Sequence, residues 1–315
     1  MRDARCQSTA ELVLGTVQLG MAYGATNKAG KPTKLEALKL LKLARQKGIR
    51  SVDTARAYGT SEEVIGAYQS EACPQDRFEV LTKLDPRISE LTVAANVAAA
   101  TRQSLDQSRK ALRTEKLSCV MLHRPDQILS GDSTVSDVLK EQKSDGRIGK
   151  IGVSVSTPGE LVAVLRIPEI DHVQFPFNFL DHRFEEPGVI ALLNDRKDVT
   201  MHIRSVFLQG ILVCRHEDIS FDCLGAEGVA LQEFLQRIRL LFDGTSPVEI
   251  ALAYVKAMTW VDGLVIGTAA PAELEQVVAA YAAPTSCELV DVVRAHRPRL
   301  SEQILNPTNW PKDWA

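Results

Sequence analysis

The chain has 315 residues, of which 45% are hydrophobic and 24% are charged, proportions that suit a large core beneath an ordinary polar surface. Its formal net charge of −3 argues against a nucleic acid or an anionic membrane as a partner, because either would need a concentrated basic face. No apolar run approaches the roughly 18–20 residues that a bilayer-spanning helix requires, so no membrane association is expected.

The N-terminal sequence MRDARCQSTAELVLG lacks the apolar stretch of a signal peptide, which makes the cytoplasm the expected compartment. The six cysteines are scattered without a C-x-x-C pair. In a long chain without an export signal, we expect them to be reduced thiols rather than a disulfide framework.

Short apolar runs rich in β-branched residues alternate along the chain with longer amphipathic segments. The runs that predict strands are, in order, 11–19, 49–55, 78–84, 117–123, 150–156, 171–177, 199–207 and 263–269. The segments that predict helices are 34–48, 61–69, 93–114, 133–146, 158–166, 185–195, 227–242, 246–258 and 271–281. This order gives eight successive strand-then-helix units.

Eight such units, with strands that are apolar along nearly their whole length, predict a parallel sheet closed into a (β/α)8 TIM barrel. The main rival is an open doubly wound sheet, but the GxGxxG turn expected for that fold does not occur in the sequence. No linker rich in Pro, Gly or Ser divides the sequence, so residues 1–315 are expected to form a single barrel domain. Residues 297–315, with three prolines and two tryptophans, are expected to be an irregular C-terminal tail.

Polar side chains follow three neighbouring predicted strands, at the end of a TIM barrel where catalytic groups lie. Asp53 follows the second strand, Lys83 the third and His123 the fourth. Tyr58 lies in the stretch SVDTARAYGTSEEVIG that leaves the second strand. Each residue alone also has a structural interpretation: a helix cap, a loop-packing tyrosine, a solvent-exposed lysine or a structural histidine. Their convergence at one rim favours an active site.

These four residue types together suit acid–base chemistry at a carbonyl group. A tyrosine with its usual pKa of about 10 is a poor proton donor at neutral pH, and a lysine ammonium lowers that pKa by stabilising the phenolate. Asp53 would hold the Lys83 ammonium in place, and His123 would orient a carbonyl oxygen or relay a proton. The set predicts protonation of a carbonyl oxygen by Tyr58 as hydride reaches the carbon.

A series of motifs resembles those of the aldo-keto reductase superfamily. They are LGTVQLGMAYG, GIRSVDTARAYGTSEEVIG, TKL, LHRPD, GRIGKIGVSVS, VQFPFN, RSVFLQGIL and VIGTAAPAELEQ, in that order between about Leu12 and Ala283. The resemblance implies a (β/α)8 barrel that reduces an aldehyde or ketone with a nicotinamide cofactor and without a metal. It makes Tyr58 the general acid, Lys83 and Asp53 its tuning pair, and His123 the group that orients the carbonyl.

The resemblance also implies how the cofactor is held, with NADPH as the family default and NADH kept open. Ser154 and Gln174 match contacts to the nicotinamide amide, and 204–210 matches the segment under the nicotinamide and along the pyrophosphate. Gly267 and Thr268 match the adenosine-phosphate site, together with the start of the next helix, whose N-terminus favours phosphate. The expected cofactor-binding set is Thr16, Asp53, Ser154, Gln174, Arg204, Ser205, Val206, Phe207, Leu208, Gln209, Gly210, Gly267, Thr268 and Gln276.

Three features depart from the family pattern. Val155 replaces a usual Asn, and Arg204 stands where many members stack an aromatic ring on the nicotinamide, although a planar guanidinium could stack instead. In GTAAPAELEQVV many members hold the 2′-phosphate of NADPH with Lys or Arg, whereas this chain has Glu273 and Glu275. Carboxylates there would repel a phosphate and could accept a ribose hydroxyl, which favours NADH. The alternative is that both glutamates belong to a solvated helix face.

The low aromatic content of 5% weakly favours a small polar carbonyl substrate, such as a sugar, over a steroid-like one. The five histidines other than His123 lack a metal-binding spacing such as HExxH, so no metal is expected. A cofactor-binding regulatory subunit with the same barrel and little turnover stays open as a second function, although a regulator has no need of four acid–base residues. The sequence leaves the oligomeric state open.

Overall fold

The computed structural model describes residues 10–310, except 26, 28, 215–220, 222–223 and 286. Within these residues eight parallel strands pair in chain order and close into a barrel. They are β1 (Glu11–Gly15), β2 (Ser51–Asp53), β3 (Glu79–Lys83), β4 (Leu117–Leu122), β5 (Ile148–Ser154), β6 (His172–Pro176), β7 (Thr200–Arg204) and β8 (Gly263–Gly267). The predicted (β/α)8 barrel is confirmed, and each strand overlaps its predicted run.

Helices follow the strands and cover the outside of the barrel. The described residues form α1 (Val17–Gly20), α2 (Lys34–Gln46), α3 (Ser61–Glu71), α4 (Ala94–Leu112), α5 (Asp126–Leu129), α6 (Thr134–Ser144), α7 (Pro158–Val164), α8 (Pro187–Asp195), α9 (Gly225–Leu241), α10 (Pro247–Lys256), α11 (Pro271–Ala282), α12 (Cys287–His296) and α13 (Glu302–Leu305). Hydroxyl caps mark some of their starts: Thr33 accepts from the Glu36 amide in α2, and Ser246 from the Glu249 amide in α10. Each such cap contributes about 1 kcal/mol to helix stability.

The parallel register brings the polar strand ends to one rim of the barrel. Asp53 of β2 pairs with Gly15 of β1 and with Leu81 of β3. Lys83 of β3 pairs with Met121 of β4, two residues before His123. Because the carboxyl ends of all the strands lie at the same end of the barrel, these side chains share one opening to solvent.

The interior of the barrel is filled with side chains rather than open. An apolar layer beneath the rim consists of Val13, Leu81, Cys119, Met121 and Val265. Nearer the amino ends of β6 and β7, the buried rings of His172 and His202 meet edge to face with centroids 4.3 Å apart. A second, larger apolar layer lies between the strands and the surrounding helices. The carboxyl rim is therefore where a ligand can reach the buried polar groups.

The C-terminal region is more regular than the sequence-based expectation. Helix α12 was not predicted, although its buried face is apolar. Within the segment expected to be irregular, Glu302–Leu305 form the single turn α13, and Pro307–Asn309 form a 3-10 turn. The Trp310 indole nitrogen donates to the carbonyl oxygen of Ile304 over 2.9 Å, which ties the end of the described tail to α13.

The cysteines only partly follow the expectation of reduced thiols. Cys73 and Cys119 are free, whereas Cys287 is disulfide-bonded, so the expectation is wrong for Cys287. Spacing in the sequence gives no information on a cysteine pair that forms through the fold. Cys6 and Cys223 lie outside the described residues. In the part of the chain that the structure describes, no helix is both long enough and apolar enough to cross a membrane.

Candidate active site

Asp53 and Lys83 form a buried ion pair at the ends of β2 and β3. The Lys83 Nζ lies 2.6 Å from Asp53 Oδ2 and 3.1 Å from the carbonyl oxygen of Thr54. The same Asp53 oxygen accepts a hydrogen bond of 2.9 Å from Gln174 Nε2 on β6. Burial acts to lower the pKa of Lys83, but attraction to Asp53 and Tyr58 outweighs it and raises this pKa above its ordinary value. Lys83 therefore remains an ammonium ion inside the barrel.

Tyr58 lies beside this ammonium, and His123 lies beside Tyr58. The Lys83 nitrogen is 5.1 Å from the centroid of the Tyr58 ring. The Tyr58 and His123 rings meet edge to face, with centroids 5.9 Å apart and planes at 89°. Tyr58 is half-buried, so its phenol can meet a ligand that enters the rim. The structure thus brings together the four residues named as catalytic from the sequence.

His123 is an uncharged imidazole at neutral pH. Burial, followed by the positive charges of Lys83 and Arg204, lowers the pKa of His123 to about 3. A neutral imidazole has one donor nitrogen and one acceptor nitrogen. The ring can therefore present an N–H to an oxygen without adding a second cation next to Lys83.

Three buried hydroxyl groups support Asp53 at the end of β2 and the start of the loop that follows it. Ser61 Oγ lies 2.8 Å from Thr16 Oγ1 and 3.0 Å from Thr54 Oγ1. Thr16 Oγ1 in turn donates a hydrogen bond of 2.7 Å to the carbonyl oxygen of Asp53. Thr16, named from the sequence as a cofactor contact, is fully buried, and its hydroxyl is directed to Asp53. Ser61 and Thr54 were not predicted to belong to the site.

Gly20, in the turn after β1, lies against the backbone of Tyr58. A Cβ atom at residue 20 would be 1.7 Å from the carbonyl oxygen of Tyr58 and 2.6 Å from the amide nitrogen of Ser61. The Thr60 amide donates to the Gly20 carbonyl oxygen over 3.3 Å. Only glycine permits this approach, so Gly20 fixes the position of the backbone that presents the phenol.

Glu62 is a buried carboxylate behind the same loop, and it was missed from the sequence. Its Oε1 accepts a hydrogen bond of 2.6 Å from Thr82 Oγ1, and its other oxygen pairs with the Arg56 guanidinium. Acidic residues in the first turn of a helix usually face solvent, where the helix dipole favours them. Packing of α3 against β3 buries this one, and no local sequence pattern shows that packing.

Ser154 and Gln174 adjoin one another at the ends of β5 and β6, where their backbones pair. Both are buried, and Gln174 Oε1 has no hydrogen-bond partner among the described residues. A buried acceptor normally has a partner. The carboxamide of a nicotinamide ring would supply a donor, so these two residues fit the group that the resemblance assigns to them.

The chain after β7 makes a tight turn in an unusual backbone conformation. Ser205, Leu208 and Gln209 have φ angles of 60°, 45° and 55°. Such angles cost on the order of 1–3 kcal/mol each and are frequent at ligand-binding sites. The Val206 and Leu208 side chains are buried and Phe207 packs on the core, so these three can offer a ligand mainly their backbone. Gly210 completes the turn with φ of 97°.

Gln209 connects this turn to the loop after β1. Its Oε1 accepts a hydrogen bond of 3.2 Å from the Ala25 amide, and its Nε2 lies 3.5 Å from the Tyr23 hydroxyl. The Tyr23 residue as a whole is 45% exposed. Burial of its hydroxyl end raises the pKa of Tyr23, and the neighbouring Tyr58 raises it further. Tyr23 therefore lies beside the turn after β7 and was not predicted to belong to this region.

A carboxylate of α11 accepts hydrogen bonds from the backbone amides of the two residues before the helix. Glu273 Oε2 accepts hydrogen bonds of 2.9 Å from the Ala269 amide and 3.3 Å from the Ala270 amide. Amides at the start of a helix are the donors that a phosphate would use. Glu275 is engaged elsewhere, 3.3 Å from Lys47 Nζ. Both glutamates are exposed, as the interpretation of a solvated helix face expects, and Glu273 in addition accepts from the backbone just before α11.

The other predicted residues of this region also lie near the start of α11. Gly267 ends β8 and is exposed, and Gln276 is exposed on the helix itself. The Thr268 hydroxyl is buried without a hydrogen-bond partner in the described part of the chain. An unsatisfied buried hydroxyl beside helix amides fits a polar group of a bound nucleotide.

A tyrosine, a buried lysine–aspartate pair and a neutral histidine meet at the carboxyl rim of this parallel barrel, a set that suits acid–base chemistry. The family model described as the aldo/keto reductase family matches residues 11–297. The chain belongs to this family, whose members generally use NAD(P)H.

Curated relatives carry oxidoreductase names. The chain is 29% identical to aldo-keto reductase YhdN of Bacillus subtilis (strain 168) over 184 residues. The matched stretch covers 57% of this chain and 54% of YhdN. The chain is 24% identical over 302 residues to the uncharacterized oxidoreductase YqkF of the same organism, across 91% of this chain and 94% of YqkF. It is 27% identical over 209 residues to oxidoreductase YdhF of Escherichia coli (strain K12), across 61% of each chain. The match to YhdN thus spans about half of that relative.

Solved structures of aldo-keto reductases share the fold. The holo form of AKR11C1 from Bacillus halodurans matches with a TM-score of 0.72 and 19% identity, across 95% of this chain and 98% of that one. A putative aldo-keto reductase from Pseudomonas aeruginosa, PA4992, matches with a TM-score of 0.63 and 24% identity, across 90% and 93%. At these identities the likeness shows the barrel alone.

Proposed function

We propose that this protein reduces an aldehyde or ketone to the alcohol with NAD(P)H, and that Tyr58 is the general acid. The observation that supports this function best is the placement of the Lys83 ammonium, 2.6 Å from Asp53 Oδ2 and 5.1 Å from the centre of the Tyr58 ring. Burying a charged pair costs desolvation free energy, so a purely structural lysine has little reason to lie there. A cation beside a phenol stabilises the phenolate that remains after proton transfer.

The nicotinamide cofactor, when bound, supplies the hydride. Tyr58 donates its phenolic proton to the carbonyl oxygen as negative charge develops there, and Lys83 stabilises the resulting phenolate. Asp53 holds the ammonium in place, and Gln174 holds Asp53. Solvent then returns a proton to Tyr58, which is only half-buried.

His123 positions the carbonyl in this mechanism. Because the pKa of His123 lies at about 3, the ring is neutral and cannot serve as the acid at neutral pH. An imidazole N–H directed at the carbonyl oxygen stabilises the charge that forms there. Proton transfer is therefore assigned to Tyr58 and orientation to His123.

The proposed cofactor site extends from Gln174 to the start of α11. The Gln174 oxygen, which has no partner among the described residues, and Ser154 would hold the nicotinamide amide, and the turn 204–210 would run under the nicotinamide and along the pyrophosphate. NADPH is the expectation from the family. Glu273, hydrogen-bonded to the amides just before α11, opposes a 2′-phosphate and could accept a ribose hydroxyl, which supports NADH as the competing cofactor.

The proposed substrate is a small polar carbonyl compound such as a sugar, and the proposed compartment is the cytoplasm. Tyr23 supports a sugar-sized substrate, because its exposed ring at the rim offers a flat apolar face next to polar catalytic groups. Net charge and composition give no reason to propose a nucleic acid or membrane partner.

The experiment that tests this function is Tyr58→Phe, which removes one oxygen atom. We expect turnover of aldehydes to fall by about 10²- to 10⁴-fold, the usual contribution of a general acid, with cofactor binding retained. Unchanged turnover would exclude Tyr58 as the acid. A wild-type protein that binds cofactor but reduces no carbonyl compound would instead support the regulatory subunit.

A further inference from the structure

Glu62 lies in the first turn of α3 and joins three elements around the catalytic residues. Its side chain is only 1% exposed. Its Oε1 accepts a hydrogen bond of 2.6 Å from Thr82 Oγ1 on β3, and its Oε2 pairs with the Arg56 guanidinium in the loop after β2. Because successive side chains of a strand point to opposite faces, Thr82 points toward the helices while Lys83 points into the barrel. One carboxylate therefore ties α3 and the loop that carries Tyr58 to the strand that carries Lys83.

Arg56 transmits the hold of Glu62 to the backbone between the catalytic aspartate and tyrosine. It follows Asp53 and precedes Tyr58 within the same short loop. Its backbone amide donates a hydrogen bond of 3.2 Å to the carbonyl oxygen of Lys83. Fixing the Arg56 side chain therefore fixes this loop against the backbone of the catalytic lysine.

The stability of α3 does not require this carboxylate to be buried. An acidic residue in the first turn of a helix gains from the helix dipole while it is exposed, which is the position of the next residue, Glu63. Taking the Glu62 carboxylate out of water costs desolvation free energy, and apolar side chains of similar volume often serve stability as well as a buried ion pair. Hydrogen bonds in addition fix the direction between the groups that they join. The placement of Glu62 therefore favours a role in the geometry of the site.

We propose that Glu62 is a positioning residue of the active site, which holds the phenol of Tyr58 beside the Lys83 ammonium. This inference rests on the proposed reductase function and adds to it a residue that lies behind the loop rather than at the rim. The Lys83 nitrogen is 5.1 Å from the centre of the Tyr58 ring, and Glu62 joins the loop and the strand that set this distance. Misplacing a reacting group by about 1 Å lowers the rate by as much as about 10²-fold. Loss of the Glu62 contacts therefore slows proton transfer without altering the groups that bind substrate.

Glu62→Gln tests this role, because it keeps the shape of the side chain and the acceptor for Thr82 but removes the charge that holds Arg56. We expect kcat for aldehydes to fall about 10- to 100-fold, while KM and the cofactor Kd stay within about twofold of the wild type. An unchanged kcat, or a loss that lies in KM alone, overturns the proposal.

Arg56→Gln removes the same ion pair from its other end. The Arg56 side chain is 19% exposed, so this variant serves the test even where Glu62→Gln does not fold. It should lower kcat by a similar factor, and the double variant should lose no more than either single variant, because both remove one interaction. Independent, multiplying losses in the double variant would mean that the pair is not the unit that acts, and would overturn the proposal.

Glu63→Gln is the matched control, since it removes an exposed carboxylate from the same helical turn. It weakens the interaction with the helix dipole as Glu62→Gln does, but it leaves the contacts to Thr82 and Arg56 in place. Its kcat should equal that of the wild type. An equal fall of kcat in both variants would assign the effect to the helix dipole and overturn the positioning role.

The Tyr58→Phe background separates positioning of the phenol from general damage to the barrel. If Glu62 acts through Tyr58, adding Glu62→Gln to Tyr58→Phe should lower the residual turnover by less than about twofold. A further loss as large as that in the wild-type background would mean that Glu62 acts on another group, and would overturn the proposal.

Fluorine NMR distinguishes failure of this inference from failure of the proposed function. The chain has five tyrosines, and in protein labelled with 3-fluorotyrosine the Tyr58 signal is the one that disappears in Tyr58→Phe. This signal should shift or broaden in Glu62→Gln and keep its wild-type position in Glu63→Gln. If the wild type reduces no carbonyl compound, the proposed function fails, and the signal still tests whether Glu62 positions the phenol. A Tyr58 signal that is identical in Glu62→Gln and the wild type overturns the inference.

Discussion

Lys83 and Asp53 face each other from the ends of adjacent strands, with nitrogen and oxygen 2.6 Å apart and both side chains buried. Asp53 is held from two further directions, by Gln174 on its side chain and by Thr16 on its carbonyl oxygen. An ion pair in this setting is fixed in position, and removal of one member leaves an unpaired charge inside the barrel.

Asp53→Asn is therefore expected to reduce both stability and turnover. Breaking a buried pair by removing one partner costs about 3–5 kcal/mol, because the remaining ammonium is uncompensated. Adding Lys83→Met should restore most of the free energy of unfolding without restoring turnover. Urea unfolding and aldehyde-dependent oxidation of NAD(P)H measure the two effects.

The matched control for Asp53→Asn is Glu141→Gln. Glu141 pairs with Arg102 at the same distance of 2.6 Å, but both side chains are nearly half exposed. An exposed pair contributes about 1 kcal/mol or less, so this variant should keep its stability and turnover. Equal losses in the two variants would mean that burial does not set the importance of the Asp53–Lys83 pair.

The contact between Asp53 and Lys83 could be predicted from the sequence because parallel strands in chain order place their ends together. The support from Thr16 and Ser61 could not, because these residues are 45 positions apart and meet through the geometry of two loops. Small hydroxyl residues follow no periodic pattern that would indicate their burial. Glu62 was missed for a related reason, since its local sequence is that of an exposed helix start.

The C-terminal region shows the same limit of sequence-based prediction, here for the fold. Helix α12 has an apolar face that the sequence contains, and it was overlooked because it follows the last barrel unit. Helix α13 depends instead on a contact through space, in which the Ser301 hydroxyl donates to Glu227 Oε2 of α9 over 2.6 Å. Because Glu227 is distant from this turn in the sequence, no local pattern predicts the turn.

Glu273→Gln is expected to shift cofactor preference toward NADPH. The carboxylate occupies the Ala269 and Ala270 amides, so removing its charge should improve NADPH affinity relative to NADH by about fivefold, which corresponds to about 1 kcal/mol. The shift should shrink at high salt, because the group is exposed. Parallel fluorescence titrations measure both dissociation constants.

Glu275→Gln provides the comparison, since Glu275 pairs with Lys47 and not with the helix amides. It should leave the ratio of the NADPH and NADH dissociation constants close to that of the wild type. Tight NADPH binding by the wild type and an unchanged ratio in Glu273→Gln would mean that basic groups elsewhere hold the 2′-phosphate.

The buried histidine pair is expected to make stability depend on pH. Burial lowers the pKa of His202 to about 3, and burial with neighbouring His202 also lowers the pKa of His172. Between about 6.5 and 3 the unfolded chain binds protons that the folded protein does not, so stability falls as pH falls. Each such histidine contributes a slope of about 1.4 kcal/mol per pH unit.

His202→Gln should reduce this slope by about 1.4 kcal/mol per pH unit between pH 6 and pH 5, as measured by urea unfolding. Burial raises the pKa of Glu11, which lies 3.8 Å from His202, and this raised pKa makes stability rise as pH falls. The slope of His202→Gln is therefore compared with the slope of the wild type. Met201→Leu on the same strand is the control, because it changes packing without removing a titrating group. An identical slope in wild type and His202→Gln would show that folded His202 takes up its proton in the same pH range as the unfolded chain, and that burial does not lower its pKa.

Gly20→Ala is expected to disable the site by displacing the Tyr58 loop. The added methyl group would lie 1.7 Å from the Tyr58 carbonyl oxygen, which is backbone and cannot rotate away. Overpacking of this kind costs about 1–3 kcal/mol, and the shift that relieves it moves the phenol away from Lys83.

Gly188→Ala is the matched control, because a methyl group there meets nothing within 4 Å and lies in α8, where alanine is favoured. The midpoint temperature of thermal unfolding and the turnover of aldehydes should both fall in Gly20→Ala and should stay at the wild-type values in Gly188→Ala. Full turnover in Gly20→Ala would mean that the loop position seen here is not the one that catalysis requires.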